Sequence, residues 1–397
     1  MSNDKSGVPT SWSLNSFFPW LALIISTALY LAHSLWGGGS SHLILDSWAY
    51  LQISSGQPAG VPFDTRILVP SLAAFIAGVT GLSVPAAFNI LTSLALLVSL
   101  LILKQRLNQR GSSWGWQTAV LLAFGCSLAV TFGYTPILVD PVLLLVACLT
   151  IIALDAGKLV VALVLTCVAV FTKEFGLFLG PIWALYAYRR ALRRLAWAGL
   201  ICPIVTLVIV VLLHRSDAAV GFLGWKPYAF HYLFDYQLSV LRLRGLTSYT
   251  KLLYMGSWCA LWPIVIVATI SIRSGSMRSA GIDVYRIGFV VLLVCLPLLL
   301  PGDWSRNLIV LVPFASIVAA SHPLASDRYF VGLVAIGGFT TALARPFHGD
   351  SPTPQGIVLT VTILSLISSI LILTKIVRFI ASTSRPDARI AESAGPV

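Results

Sequence analysis

In a chain that is only 10% charged, eight residues have types and spacings that could do chemistry: Asp46, Tyr50, Arg66, Asp140, Lys173, Glu174, Asp303 and Arg306. Asp46 opens the stretch LDSWAYLQI, where Leu45, Trp48 and Leu51 fall roughly on one side of a helix. That pattern suits a short helix lying at a membrane interface, with Trp48 and Tyr50 at headgroup level. Asp is a favoured N-cap, so Asp46 reads as a cap, as a chemical group, or as both. Asp140 stands before Pro141 in TPILVDPVLLL. Pro suits the first turn of a helix, which makes Asp140 a cap as well. An acid at the head of an apolar helix is otherwise costly unless it faces a polar cavity or a partner. Lys173-Glu174 interrupts two apolar runs in VAVFTKEFGLF. It is either an interfacial hairpin with snorkelling charges, or a phosphate-binding Lys oriented by the neighbouring acid. Arg66 and Arg306 carry planar donor forks that suit phosphate oxygens. In GDWSRN, Asp303 lies one helical turn before Arg306, so an ion pair within the turn competes with that role.

The elements that must position these residues are apolar helices. The chain has 397 residues, of which 57% are hydrophobic, and a mean hydropathy of +0.90. Soluble chains are about a quarter charged and could not hide this much apolar surface, so the composition indicates an all-α integral membrane protein with many spans. The expected spans are Phe17–Trp36, Ala86–Leu103, Gln117–Phe132, Leu138–Leu154, Leu159–Thr172, Phe175–Tyr188, Ala196–Leu213, Leu252–Ile272, Ile287–Leu300, Leu308–Ala320, Tyr329–Ala344 and Ile357–Ile376. These make about twelve. Ile67–Val79 is apolar but short, and is expected to be a juxtamembrane or re-entrant helix that does not cross.

Charge sets the orientation. Basic clusters occur at Lys104–Arg110, Lys158, Arg189–Arg194, Arg273–Arg278, Arg328 and Lys375–Arg378. Short loops rich in Lys and Arg stay cytoplasmic. With Ile67–Val79 not crossing, all of these clusters fall on one side, and the eight candidate residues fall on the other. The expected organisation is a cytoplasmic tail over residues 1–16, a single transmembrane domain over 17–378 and a disordered cytoplasmic tail over 379–397. Residues 37–83 form the first external loop with its helices, and 214–251 the second long one.

Several classes are excluded. The net charge of +12 sits in loop clusters without a basic-aromatic groove, so nucleic acid is not the partner. The six cysteines lie in or beside apolar runs and read as packing residues, with no CxxC pair. The six histidines form no pair at zinc-ligand spacing. No GxSxG, P-loop or dinucleotide fingerprint occurs. The polar start holds only Lys5 and does not read as a cleaved signal peptide.

In order and spacing, the motifs resemble the GT-C class of membrane glycosyltransferases that use polyprenyl-phosphate sugars. The nearest pattern is the branch of protein O-mannosyltransferases and lipid A aminoarabinose transferases. The likeness runs over roughly Asp46 to Arg194 and again over Asp303 to Ala320. It rests on Asp46 before Tyr50, PFDTRILVPSLAAFIAG, VDPVLLL, TKEFGLFLGP and SRNLIVLVPFASIVAA. Where that branch usually has a first-loop acid pair, this chain has Asp46-Ser47, and Glu174 stands where Gly is common.

The resemblance implies a sugar transferase with Asp46 as base or metal ligand and Asp140 as second acid. Lys173 and Arg306 would contact the lipid phosphate; by its own chemistry Arg66 joins them, and Tyr50, Glu174 and Asp303 are further substrate-binding candidates. A divalent ion, Mg2+ or Mn2+, shared by Asp46 and Asp140 is a candidate cofactor. The implied partners are a polyprenyl-phosphate sugar, an acceptor glycan, lipid or protein, and membrane lipids. The implied location is a bacterial inner membrane, with the site facing the periplasm. Two alternatives stand beside it: a transporter or flippase of an amphiphile, and a non-catalytic assembly subunit.

Overall fold

The computed structural model describes residues 14–37, 45–59, 63–129, 132, 137–213, 258–273, 283–295, 304–344 and 355–383. The described residues are all-α, with fourteen α-helices and a few short 3₁₀ turns. The helices are α1 (Leu14–Gly37), α2 (Leu45–Ser54), α3 (Leu68–Thr80), α4 (Val84–Gln109), α5 (Trp114–Leu128), α6 (Asp140–Asp155) and α7 (Leu159–Thr172). They continue with α8 (Leu179–Arg189), α9 (Arg193–Leu213), α10 (Trp258–Arg273), α11 (Val284–Cys295), α12 (Trp304–Ala319), α13 (Arg328–Ala344) and α14 (Gln355–Thr383). Each apolar stretch expected from the sequence contains an α-helix among the described residues. The loop 214–251 lies outside the described residues.

Local chemistry sets several boundaries. Ser83 caps α4 by accepting the Ala86 amide, with Pro85 in the first turn. Ser113 caps α5 through the Trp116 amide. Gly81 closes α3 with φ 73°, a left-handed conformation that glycine adopts without a Cβ penalty.

The helices pack around one apolar core with two charged poles. Helix α6 carries Asp140 at its start and Asp155 at its end, about 22 Å apart at 1.5 Å per residue. At the Asp155 pole, Arg106 of α4 donates to Asp155 at 3.0 Å, and Arg110 lies 3.6 Å from Asp283. Lys104 sits over the Trp20 ring of α1, 3.8 Å from its centroid, which brings the start of α1 to this pole. At the other end of the same two helices, Ser34 of α1 donates to Asn89 of α4. Helix α4 therefore begins at the Asp140 pole and ends at the basic one. Arg66, just before α3, is at the Asp140 pole, and Gly81–Ser83 joins the end of α3 to the start of α4. Both ends of α3 thus lie at one pole.

Helix contacts are close because small residues face one another. A Cβ on Gly180 of α8 would meet the Gly199 carbonyl of α9 at 2.5 Å, and one on Gly125 of α5 would meet Ser26 of α1 at 2.3 Å. Such small-residue crossings are typical of helix packing in lipid. The outward faces are apolar on most helices, including Phe75 and Val79 on α3, Val160 and Val164 on α7, Ile204 and Leu212 on α9, and Ile370 and Val377 on α14. Two described helices, over Val84–Gln109 and Arg193–Val210, are long and apolar enough to cross a membrane.

Candidate functional site

Four stretches distant in sequence meet at the Asp140 pole: α2, the turn Phe63–Thr65 with Arg66, the head of α6, and the turn between α7 and α8. Helix α2 is tied down twice. Ser47 donates to the Ile137 carbonyl, just ahead of α6, and Ser54 donates to the Pro70 carbonyl in α3. These bonds place Asp46, half-buried in the first turn of α2, at the edge of the cluster.

Arg66 is the centre. Its Nε donates to Glu174 Oε2 at 2.9 Å and its Nη2 to Oε1 at 2.5 Å, a two-pronged pairing. Its Nη1 donates to the Tyr50 hydroxyl at 2.7 Å, and its guanidinium lies 5.2 Å from the Phe63 ring centroid. These three bonds engage three of the five N–H donors of an arginine, so two are not engaged by them. Burial works against the charge on Arg66, but the Glu174 carboxylate and the Tyr50 hydroxyl outweigh it and raise its pKa. Burial likewise opposes ionisation of Glu174, yet Arg66, reinforced by Lys173, holds its carboxyl below the usual range.

Lys173 and Glu174 are neighbours that face different partners. Lys173 is extended (φ −164°, ψ 145°), which ends α7 and turns the chain into the 3₁₀ segment Glu174–Phe178. Its Nζ donates to Asp140 Oδ1 at 2.6 Å, with Lys173 8% and Asp140 3% exposed. Lys173 is thus paired with the acid 33 positions earlier, and Glu174 with the arginine 108 positions earlier. This corrects the expectation that Glu174 orients Lys173.

Two further expectations are corrected. Asp140 is not the N-cap of α6: Val139 occupies that position without a side-chain bond, because the Asp140 carboxylate turns to Lys173. Tyr50 is not at headgroup level but fully buried under Arg66, whereas Trp48, two positions earlier, is 53% exposed. Asp303 lies outside the described residues, as does the side chain of Arg306, whose backbone sits in the first turn of α12.

Asp140, one of the two expected metal ligands, is salt-bridged to Lys173, and no group of three or more His, Cys, Asp or Glu at metal-binding spacing occurs among the described residues. The residues that sequence reading missed are Ser47, Ser54 and Phe63, which fix the loop rather than react. Only their closeness in sequence to Asp46 and Arg66 marked them.

The turn bearing Lys173 and Glu174 rests on Gly176. A Cβ there would lie 2.3–2.5 Å from backbone atoms of Ala169 and Val170. Gly176→Ala is therefore expected to destabilise the protein by roughly 1–3 kcal/mol, the usual cost of overpacking. At Gly332 in α13 a Cβ would meet nothing within 4 Å. Gly332→Ala should instead stabilise by about 0.5–1 kcal/mol. Thermal unfolding of both variants in detergent checks the opposite signs.

No protein-family model matches the chain, and no curated protein matches it in sequence.

Proposed function

We propose that the chain is a polytopic membrane glycosyltransferase of GT-C type. With about twelve spans, it moves a sugar from a polyprenyl-phosphate donor to an acceptor on the non-cytoplasmic face. What supports this most is the convergence of Asp46, Arg66, Asp140, Lys173 and Glu174 at the pole opposite the arginine-rich one. The outward apolar faces of the helices supply the lipid-facing surface, and α3 lies along the site-side interface. The basic pole is then cytoplasmic, and in a bacterium the site faces the periplasm from the inner membrane.

The reaction balances on side chains alone. The acceptor hydroxyl or amine attacks the anomeric carbon of the sugar, and its proton passes to Asp46. The bond between that carbon and the phosphate oxygen breaks, and its electron pair goes to the departing polyprenyl phosphate. Charge grows on the phosphate, where Arg66, Lys173 and Arg306 stabilise it. Tyr50 and Glu174 hold the Arg66 fork in place before the donor arrives.

The test is sugar transfer by the purified protein in lipid, with a panel of labelled polyprenyl-phosphate sugars and membrane acceptors, with and without chelator. Asp46→Asn is expected to lower turnover about a hundredfold to ten-thousandfold with folding intact. Equal turnover in both proteins would remove Asp46 from the mechanism. A second reading, a transporter of an amphiphile, draws on the neutralisation of Lys173 and Arg66 by Asp140 and Glu174, since paired charges also line substrate pathways. Movement of labelled lipid across vesicles without release of polyprenyl phosphate would favour it.

A further inference from the structure

The turn between α8 and α9 carries four arginines in six positions, and the transfer reaction does not use it. It runs from Tyr188 through Arg189, Arg190, Arg193 and Arg194 to Leu195, and every residue in it is exposed. Helix α9 is one of the two described helices long and apolar enough to cross a membrane, so these arginines stand at the end of a span. The turn is tight. Ala191 adopts φ 62°, in the left-handed region, and the amides of Ala191 and Leu192 donate back to the Tyr188 and Ala187 carbonyls. One pair of arginines therefore closes α8 and the other opens α9. The turn after α6 adjoins them: a Cβ on Gly157 would lie 3.4 Å from a guanidinium nitrogen of Arg190, and the exposed Lys158 follows Gly157.

The protein does not neutralise this charge. Among the described residues, Arg189, Arg193 and Arg194 form no ion pair. Asp155, at the edge of the patch, already faces Arg106 at 3.0 Å and Arg110 at 3.7 Å. The first turn of α9 holds no acid, and a helix N-terminus is itself positive, so α9 offers Arg193 and Arg194 no compensation. The neighbours of the arginines decide the class of partner. Tyr188 is 57% and Trp197 63% exposed, and Leu192 and Leu195 are exposed between them. Aromatic and apolar side chains interleaved with arginines at the end of a span place the charges at headgroup depth rather than out in water.

We infer that this turn holds anionic phospholipids of the leaflet at which α8 ends and α9 begins. Arg189, Arg193 and Arg194 take the phosphate oxygens, and Tyr188 and Trp197 lie against the lipid just below them. The guanidinium fork matches phosphate oxygens, and clusters of four or more basic residues beside a span attract anionic headgroups. The inference rests on the membrane reading proposed above, which makes this leaflet the cytoplasmic one, and it does not depend on sugar transfer.

The test is native mass spectrometry of the full chain from a neutral detergent holding equal amounts of dioleoyl phosphatidylglycerol and dioleoyl phosphatidylcholine. At low salt the wild type is expected to carry phosphatidylglycerol in excess, by about fivefold for each arginine engaged. Arg189→Gln, Arg193→Gln and Arg194→Gln together should lose most of that excess. Arg273→Gln, Arg328→Gln and Arg378→Gln together remove the same charge from other exposed arginines and should keep it. All six side chains are exposed, so both triple variants are expected to fold, and their unfolding midpoints check this. Equal uptake of the two lipids by the wild type would leave the arginines to a soluble acidic partner and overturn the inference. So would an unchanged preference in the first triple variant, or an equal loss in both. Displacement of the lipid by inorganic phosphate, beyond that by chloride at equal ionic strength, would reassign the arginines to a free anion and overturn it too. The patch adjoins the Asp155 end of α6 and the proposed reaction the Asp140 end, so sugar transfer by the first triple variant reports separately on that reaction.

Discussion

Arg66→Met is expected to destabilise the protein by about 3–5 kcal/mol, and Arg66→Met with Glu174→Gln by clearly less. The reason is the asymmetry of buried pairs. With arginine gone, Glu174 keeps its charge in a site where it is 28% exposed on its side chain, and the buried Tyr50 hydroxyl loses the hydrogen bond from Arg66. The double replacement removes the stranded charge. A double-mutant cycle on unfolding midpoints measures the coupling, and additive effects would mean that the pair contributes nothing.

The same pair predicts a pH response whose sign reverses. In the wild type, Glu174 has its carboxyl depressed by Arg66, so the stability it contributes is complete above its unfolded value of about 4.3. That contribution is lost only as pH falls through the lower folded value. In Arg66→Met the main depressing charge is absent and burial raises the carboxyl instead. That variant should gain stability as pH falls from 7 towards 5, while the wild type stays level. A parallel decline in both proteins over that range would contradict the assignment of Glu174 as the partner that Arg66 holds charged.

Why the helices could be read from sequence and the pairing could not follows from range. Apolar runs, Ser83 with Pro85, and the break at Lys173 are local signals, and the helices begin and end within a few residues of them. The expected span from Phe175 instead divides into a 3₁₀ turn and α8, because Gly176 presses on the backbone of α7. Trp48 and Tyr50 look alike as interfacial aromatics. Two positions on a helix are about 200° apart, however, so one faces outwards and the other lies under Arg66. The Asp-Pro at 140–141 has the form of a cap, and nothing nearby reveals that a lysine 33 residues on claims the carboxylate. The gathering of Arg66, Asp140, Lys173 and Glu174 at one pole followed from the placement of basic loops in the sequence. Which acid meets which base was not legible, because Lys173 and Glu174 are adjacent and their extended junction sends them to different helices.

Asp140→Asn and Lys173→Met should part company in a way that fixes what Asp140 does. Lys173→Met removes the opposite charge from a carboxylate that is 3% exposed, and is expected to cost about 3–5 kcal/mol. It should also remove a phosphate contact, lowering turnover roughly a hundredfold to a thousandfold. Asp140→Asn keeps a carbonyl for Lys173 to donate to but removes the negative charge that neutralises it. If Asp140 is the counter-ion of Lys173, the uncovered ammonium should hold phosphate more tightly. Polyprenyl phosphate would then inhibit the variant at lower concentration, and KM and kcat would fall together. If Asp140 instead acts on the acceptor, kcat should fall with product inhibition unchanged. The salt bridge at 2.6 Å leads us to expect the first outcome, since Lys173 holds one carboxylate oxygen of Asp140 and stabilises its charged form. Tightened product inhibition in Asp140→Asn would make the acid a regulator of phosphate release, and leave Asp46 as the acid proposed to take the proton.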